Sequence, residues 1–216
     1  MSNYTEIKKY CEDRMVTLVA ISKTKTVAEI LSVYEQGQKI FGENKVQELV
    51  SKFESPLLNK KDIEWHLVGH LQTNKVKFIA PFVSLIHGVD SFKLLEEINK
   101  QAEKNNRIIN VLLQIYIAQE ETKFGLSFEE ATALLGNEKS ADLKNICIKG
   151  LMGMATLTEN ESQIRKEFSS LKNFFTEFHE LKFLSMGMSG DHKIAIEEGS
   201  NMVRIGSAIF GERNLV

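Results

Sequence analysis

Apolar residues along this 216-residue chain fall into two alternating patterns. Short continuous runs rich in Val, Ile, Leu and Phe are separated by longer stretches whose apolar residues recur every three or four positions, the signature of repeated β-α units. The runs predict strands at 16–21, 39–41, 65–68, 83–86, 108–117, 145–150, 183–186 and 202–205. After the first, Val27, Ile30, Leu31 and Tyr34 stand at helical spacing behind a Thr26/Glu29 capping box, and Gly37 ends the helix. Asn44 with Gln47 opens a second helix ending before Pro56, and 72–80 reads as a third stopped by Pro81. Leu94, Leu95, Ile98 and Ala102 share one face of a fourth beginning at Ser91; Ser127 and Glu130 cap a fifth. A sixth carries Ile164, Phe168, Leu171, Phe174, Phe175 and Phe178, and two more are predicted at about 191–198 and at 207–210.

Eight such units with no long linker point to one α/β domain over residues 1–216, a closed (β/α)8 barrel of the TIM type, with 1–15 as a short N-terminal helical extension. A doubly wound open sheet is the alternative. It normally needs more residues for eight strands, and the Gly-x-Gly-x-x-Gly turn expected after its first strand is replaced by Ser22-Lys23-Thr24-Lys25.

Composition narrows the function. With 43% hydrophobic and 26% charged residues and only two prolines, disordered and low-complexity classes drop out. A net charge of −2 without like-charge runs argues against nucleic acid. Cys11 and Cys147 are distant and isolated, which fits a reducing cytoplasm; the first residues lack the apolar segment expected of a secretory leader, and no apolar run approaches the length expected of a membrane span.

In a barrel the chemistry sits in the loops after the strands. Lys23 and Lys25 are candidate amine nucleophiles, because partial desolvation at a barrel mouth frees the lone pair that attacks a carbonyl. The loops after strands seven and eight, Gly187-Met188-Ser189-Gly190 and Gly206-Ser207, offer backbone N–H groups at helix starts and the hydroxyls of Ser185, Ser189 and Ser207, an expected phosphate cradle. An amine opposite a phosphate site suits pyridoxal 5′-phosphate (PLP) or a phosphorylated sugar. Arg204 interrupts the apolar run Met202-Val203-Arg204-Ile205, where a guanidinium needs a partner: an ion pair, or the ring nitrogen of a pyridine. A fixed cation there opposes protonation of that nitrogen and suppresses carbanion chemistry. His66 and His70 do not form a helical metal pair, no metal site is expected, and His87, His179 and His192 read as surface or loop residues.

These residues resemble the pyridoxal phosphate homeostasis protein family, related to the barrel of alanine racemase. The resemblance rests on seven ordered blocks: Val19-Ala20-Ile21-Ser22-Lys23-Thr24-Lys25; Phe41-Gly42-Glu43-Asn44; Trp65-His66-Leu67-Val68-Gly69-His70-Leu71-Gln72; Lys123-Phe124-Gly125; Gly150-Leu151-Met152; Ser185-Met186-Gly187-Met188-Ser189; and Arg204-Ile205-Gly206-Ser207 with its flanking residues. It implies a fold-type III PLP-binding barrel with PLP as an internal aldimine on Lys23. It also implies phosphate at Ser185, Gly206 and Ser207 with help from Ser189, Arg204 facing the ring nitrogen, and Asn44 beside the cofactor. The implied role is cytoplasmic PLP homeostasis as a carrier or regulator without established turnover. PLP-dependent apoenzymes are the implied recipients, and the protein is expected to be a monomer or weak homodimer.

The competing expectation is a PLP-dependent racemase-like enzyme, or a Schiff-base aldolase. A two-base racemase needs a second base supplied with an added domain, and only 212–216 follow Gly211 in the sequence as read. An aldolase needs an acid/base group near the lysine, for which Glu43 is the candidate.

Overall fold

A computed structural model describes residues 3–59, 61–120, 124–137, 140 and 142–211. Lys123 of the fourth block and residues 212–216 lie outside them. Eight parallel strands close into a barrel in sequence order: β1 Thr17–Ile21, β2 Ile40–Glu43, β3 Glu64–Leu67, β4 Leu85–Val89, β5 Ile109–Ile115, β6 Ile146–Gly153, β7 Phe183–Ser185 and β8 Met202–Ile205. Closure is made by β1 against β8, with Val19 opposite Arg204.

The outer layer holds α1 Asn3–Glu12, α2 Val27–Tyr34, α3 Val46–Phe53, α4 Val76–Ile79, α5 Phe92–Lys104, α6 Phe128–Leu135, α7 Glu161–Thr176, α8 His192–Glu197 and α9 Ser207–Phe210. Both capping boxes form as expected: Thr26 N–H donates to Glu29 at 2.7 Å and Ser127 N–H to Glu130 at 2.8 Å. Helix α1 buries Tyr4, Ile7 and Cys11 against the barrel, and Tyr4 Oη donates to Gln38, whose amide in turn donates to Leu18 and Ile40 carbonyls.

Four expectations are corrected. Asn44 does not cap α3; the N-cap is Lys45, which makes no side-chain cap bond. The 72–80 helix contracts to a 3₁₀ turn at Thr73–Lys75 and the single turn of α4. Strand β4 begins at Leu85, because Val83 N–H still closes the end of α4 by donating to Ile79. Strand β6 runs on to Gly153: Gly150 does not end it but lets β7 approach, since a Cβ there would lie 1.8 Å from Phe183 O.

Two cores result. Apolar residues on the outer strand faces pack under the helices, and Val19, Ile21, Leu85, Leu112, Met152 and Met202 fill the barrel interior.

Candidate functional site at the strand C-termini

The interior is polar where it meets the C-terminal rim. Arg204 is 4% exposed and donates from one guanidinium nitrogen to Ser185 O (2.8 Å) and Ser185 Oγ (2.7 Å), and from another to Gly153 O (3.0 Å). Ser185 Oγ, already accepting from the guanidinium, lies 3.3 Å from His87 Nδ1. His87 Nε2 in turn lies 3.1 Å from His66 Nδ1, one of the two nitrogens donating to the other. The four groups form a continuous buried chain with both imidazoles neutral. Burial agrees with this state, lowering His66 to about 3 and His87 well below the usual histidine value, with His66 and Arg204 adding to the second shift. The surface placement expected for His87 is therefore wrong: it faces the barrel interior and is fully buried. Burial also pulls Arg204 down to about 10, against the opposing pull of Asp191, which leaves it charged at neutral pH.

Above this floor lies a cavity of about 650 Å³. Six of the seven sequence-nominated residues line it: Lys23 after β1, Asn44 after β2, Ser189 after β7, and Arg204, Gly206 and Ser207 from β8 and its loop. Ser185 does not. Its side chain lies beneath the floor, fully buried between Arg204 and His87, so the phosphate role expected of it does not match its position.

Lys25 also lines the cavity, but its ammonium donates to Phe210 O at 3.0 Å and pairs with Glu29 at 3.3 Å, tying the β1 loop to α9. Glu43, the acid/base candidate, points away from the cavity; it is fully buried, 2.6 Å from both Lys52 Nζ and Ser22 Oγ. Burial raises its pKa while Lys52 and Ser22 lower it.

The phosphate side is built from short loops. Ser189 Oγ accepts two long bonds, from Gly206 N–H and Ala208 N–H, each 3.3 Å. An oxyanion can take over both donors, and Gly190 presents open space, with nothing within 4 Å of a Cβ placed on it. Gly187 holds φ +92°, which turns the chain back after β7. Across the cavity Gly69 allows the β3 loop to press on Asn44, whose carbonyl would lie 2.3 Å from a Cβ there.

The lining also includes His70 and Phe124, which stand in the resemblance blocks without an assigned role, and Gln114 and Leu157, which sequence reasoning missed. Gln114 donates to Phe124 O at 2.6 Å, and His70 sits 3.3 Å from Asp90 with its ring edge-on to Phe124. Gln114 carried the signal that exposed Arg204: a polar residue near the C-terminal end of an apolar strand.

The chain matches the family described as alanine racemase, N-terminal domain, over residues 1–214. It is 41% identical to the pyridoxal phosphate homeostasis protein of Aquifex aeolicus, covering 96% of this chain and 93% of that one. The corresponding protein of Haemophilus influenzae is 40% identical, over 92% and 86%. This chain belongs to the pyridoxal phosphate homeostasis protein family. The fold agrees: PipY of Synechococcus elongatus, solved without PLP, is 33% identical and superposes with a TM-score of 0.85 over 91% of this chain and 93% of that one. The same protein has also been solved with PLP bound, where the TM-score is 0.83. Alanine racemase from E. faecalis, 15% identical with a TM-score of 0.76, shares the barrel fold with the family over 58% of its own length.

Proposed function

We propose that the protein binds PLP in the rim cavity and serves PLP homeostasis as a carrier or regulator rather than through turnover. The observation carrying this reading is that Lys23, Asn44, Ser189, Arg204, Gly206 and Ser207 line one cavity. The names of the relatives and the PLP bound to PipY support it. When bound, PLP supplies an electrophilic aldehyde and a pyridine ring that becomes an electron sink once its nitrogen is protonated.

The residues present fit that group. Lys23 brings the amine for covalent attachment, and the Gly206 and Ala208 N–H groups with Ser189 and Ser207 take the phosphate. Arg204 would face the ring nitrogen, and Asn44 would flank the ring. Three acceptors hold the guanidinium in place, so it offers a permanent cation rather than a proton acceptor, and ring protonation is disfavoured. That setting weakens the ring as an electron sink.

Residence in the cytoplasm fits two isolated free cysteines. Among the described residues no helix is long and apolar enough to cross a membrane. PLP-dependent apoenzymes are the recipients that such a carrier serves, acting as a monomer or weak homodimer. The aldolase reading has less support, since Glu43, its acid/base candidate, is locked into a buried pair away from the cavity.

The test is the visible absorption of the purified protein, together with assays of D- and L-amino acids as substrates. A yellow protein that turns over neither is expected. Robust racemase or decarboxylase rates would replace this reading with the enzymatic one.

A further inference from the structure

Directly behind the β1 loop, on the side away from the cavity, lies a group of charges that the PLP-binding reading does not use. Lys52, in the last turn of α3, has a side chain only 7% exposed, and Glu43 at the end of β2 is fully enclosed. Buried ion pairs seldom repay their desolvation in stability, and here Glu43 Oε2 has no hydrogen-bond partner among the described residues. Stability alone is a poor reason for the arrangement.

The contacts converge on Ser22 and Thr24, the two residues that flank Lys23. Lys52 Nζ donates to Ser22 O at 2.7 Å and to Glu43 Oε1 at 2.6 Å, while Ser22 Oγ donates to the same carboxylate oxygen. One residue past Lys23, Thr24 N–H donates to Glu48 at 2.5 Å, and Glu48 lies 3.4 Å from Lys52. Thr24 has φ 65°, a left-handed backbone that a β-branched residue rarely adopts. Such a conformation persists only where neighbours over-determine it. Lys23 is thus gripped on both sides: its preceding carbonyl is held by Lys52, and its following amide by a carboxylate that Lys52 itself contacts.

We propose that Lys52 is a positioning residue for Lys23: by holding Ser22 O, Glu43 and Glu48 together it fixes the loop so that the Lys23 side chain enters the cavity. Resting on the PLP-binding reading, the inference adds a function for α3. The reactive amine is aimed from outside the barrel, through the backbone, by a charge that never meets the ligand. Mispositioning of a reacting group by about 1 Å costs up to about 100-fold in rate while leaving ground-state binding largely intact.

The experiment separates attachment from binding. Wild type, Lys52→Met/Glu43→Gln and the milder Glu48→Gln are mixed with saturating PLP, and the rate of covalent capture is followed by borohydride quenching and peptide mapping. Affinity for pyridoxine 5′-phosphate, which has no aldehyde, is measured in parallel with the thermal midpoint. Removing both charges of the pair avoids stranding a buried carboxylate.

The double variant is expected to capture PLP about 10- to 100-fold more slowly. Its affinity for the aldehyde-free phosphate should match wild type, and Glu48→Gln should show a smaller fall in the same direction. An unchanged capture rate in both variants would overturn the proposal, as would a fall matched by an equal loss of pyridoxine 5′-phosphate affinity. Should the double variant fail to fold, Glu48→Gln alone decides. Wild-type protein labelled at a residue other than Lys23 would overturn the underlying reading as well, which keeps the two failures distinct.

Discussion

Replacing His66 with Gln and His87 with Asn removes two titrating rings from the barrel interior while keeping polar groups there. Both rings are held neutral by burial in the folded protein, His66 at about 3 and His87 well below its usual value. Their folded pKa values lie below the unfolded value near 6.5, so only the unfolded chain takes up these protons as pH falls. The stability they confer is therefore full above about pH 6.5 and lost below it, at about 1.4 kcal/mol per pH unit for each ring. Between pH 7.5 and 4.5 the pair removes about 5 kcal/mol, a large share of the roughly 5–15 kcal/mol that holds a typical domain together. Urea unfolding across that pH range reads the effect directly. Wild type should lose stability steeply below pH 6.5, and the double variant should lose it more slowly by about two protons' worth of slope. The variant's absolute stability at pH 7.5 can differ through repacking, but its slope does not depend on that. Parallel slopes, or an imidazolium signal from either ring at pH 6 in a nitrogen NMR spectrum, would refute the neutral state of both rings.

Three further outcomes follow from named contacts. Arg204→Glu, which exchanges the cation proposed to face the ring nitrogen for an anion, should promote Cα hydrogen exchange of added alanine in the PLP-loaded protein; each pKa unit gained by the ring nitrogen is worth about tenfold in protonated fraction. Deuterium incorporation followed by NMR measures it, and a rate equal to wild type would contradict the role given to Arg204. Gly150→Ala forces a Cβ to within 1.8 Å of Phe183 O and should part β6 from β7, lowering the thermal midpoint by about 10 °C or more or preventing soluble expression. Thr26→Ala removes the capping box of α2 at a cost of about 1 kcal/mol, a fall of about 2–4 °C in a chain of this length, readable by calorimetry.

The sequence carried the barrel because a buried parallel strand is a continuous apolar run and an outer helix shows a spaced apolar face. Both patterns survive in all eight units. Boundaries failed where apolar residues serve neither purpose: Val83 is buried in the turn that closes α4, and Gly150 marks a close strand approach rather than a strand end. Lys23 and Arg204 were legible as polar residues set in or beside apolar runs near the barrel mouth. His87 and Gln114 interrupt β4 and β5 in the same way, and reading every such interruption as a barrel-interior residue would have found both. Ser185 shows the opposite error: its place at the end of β7 suggested the rim, but its side chain belongs to the layer below, under Arg204. The Lys52–Glu43 pair had no sequence signature, because residues nine apart on a helix and a strand meet only once β2 and α3 have packed.

The central claim, that the amine of Lys23 takes the aldehyde of PLP at the barrel mouth, is tested most directly by reducing the PLP-loaded protein with borohydride and locating the modified residue by peptide mass spectrometry. The account predicts a single phosphopyridoxyl group on Lys23 and none on Lys25, with labelling lost in Lys23→Ala. A label on Lys25, or undiminished labelling in Lys23→Ala, would contradict it.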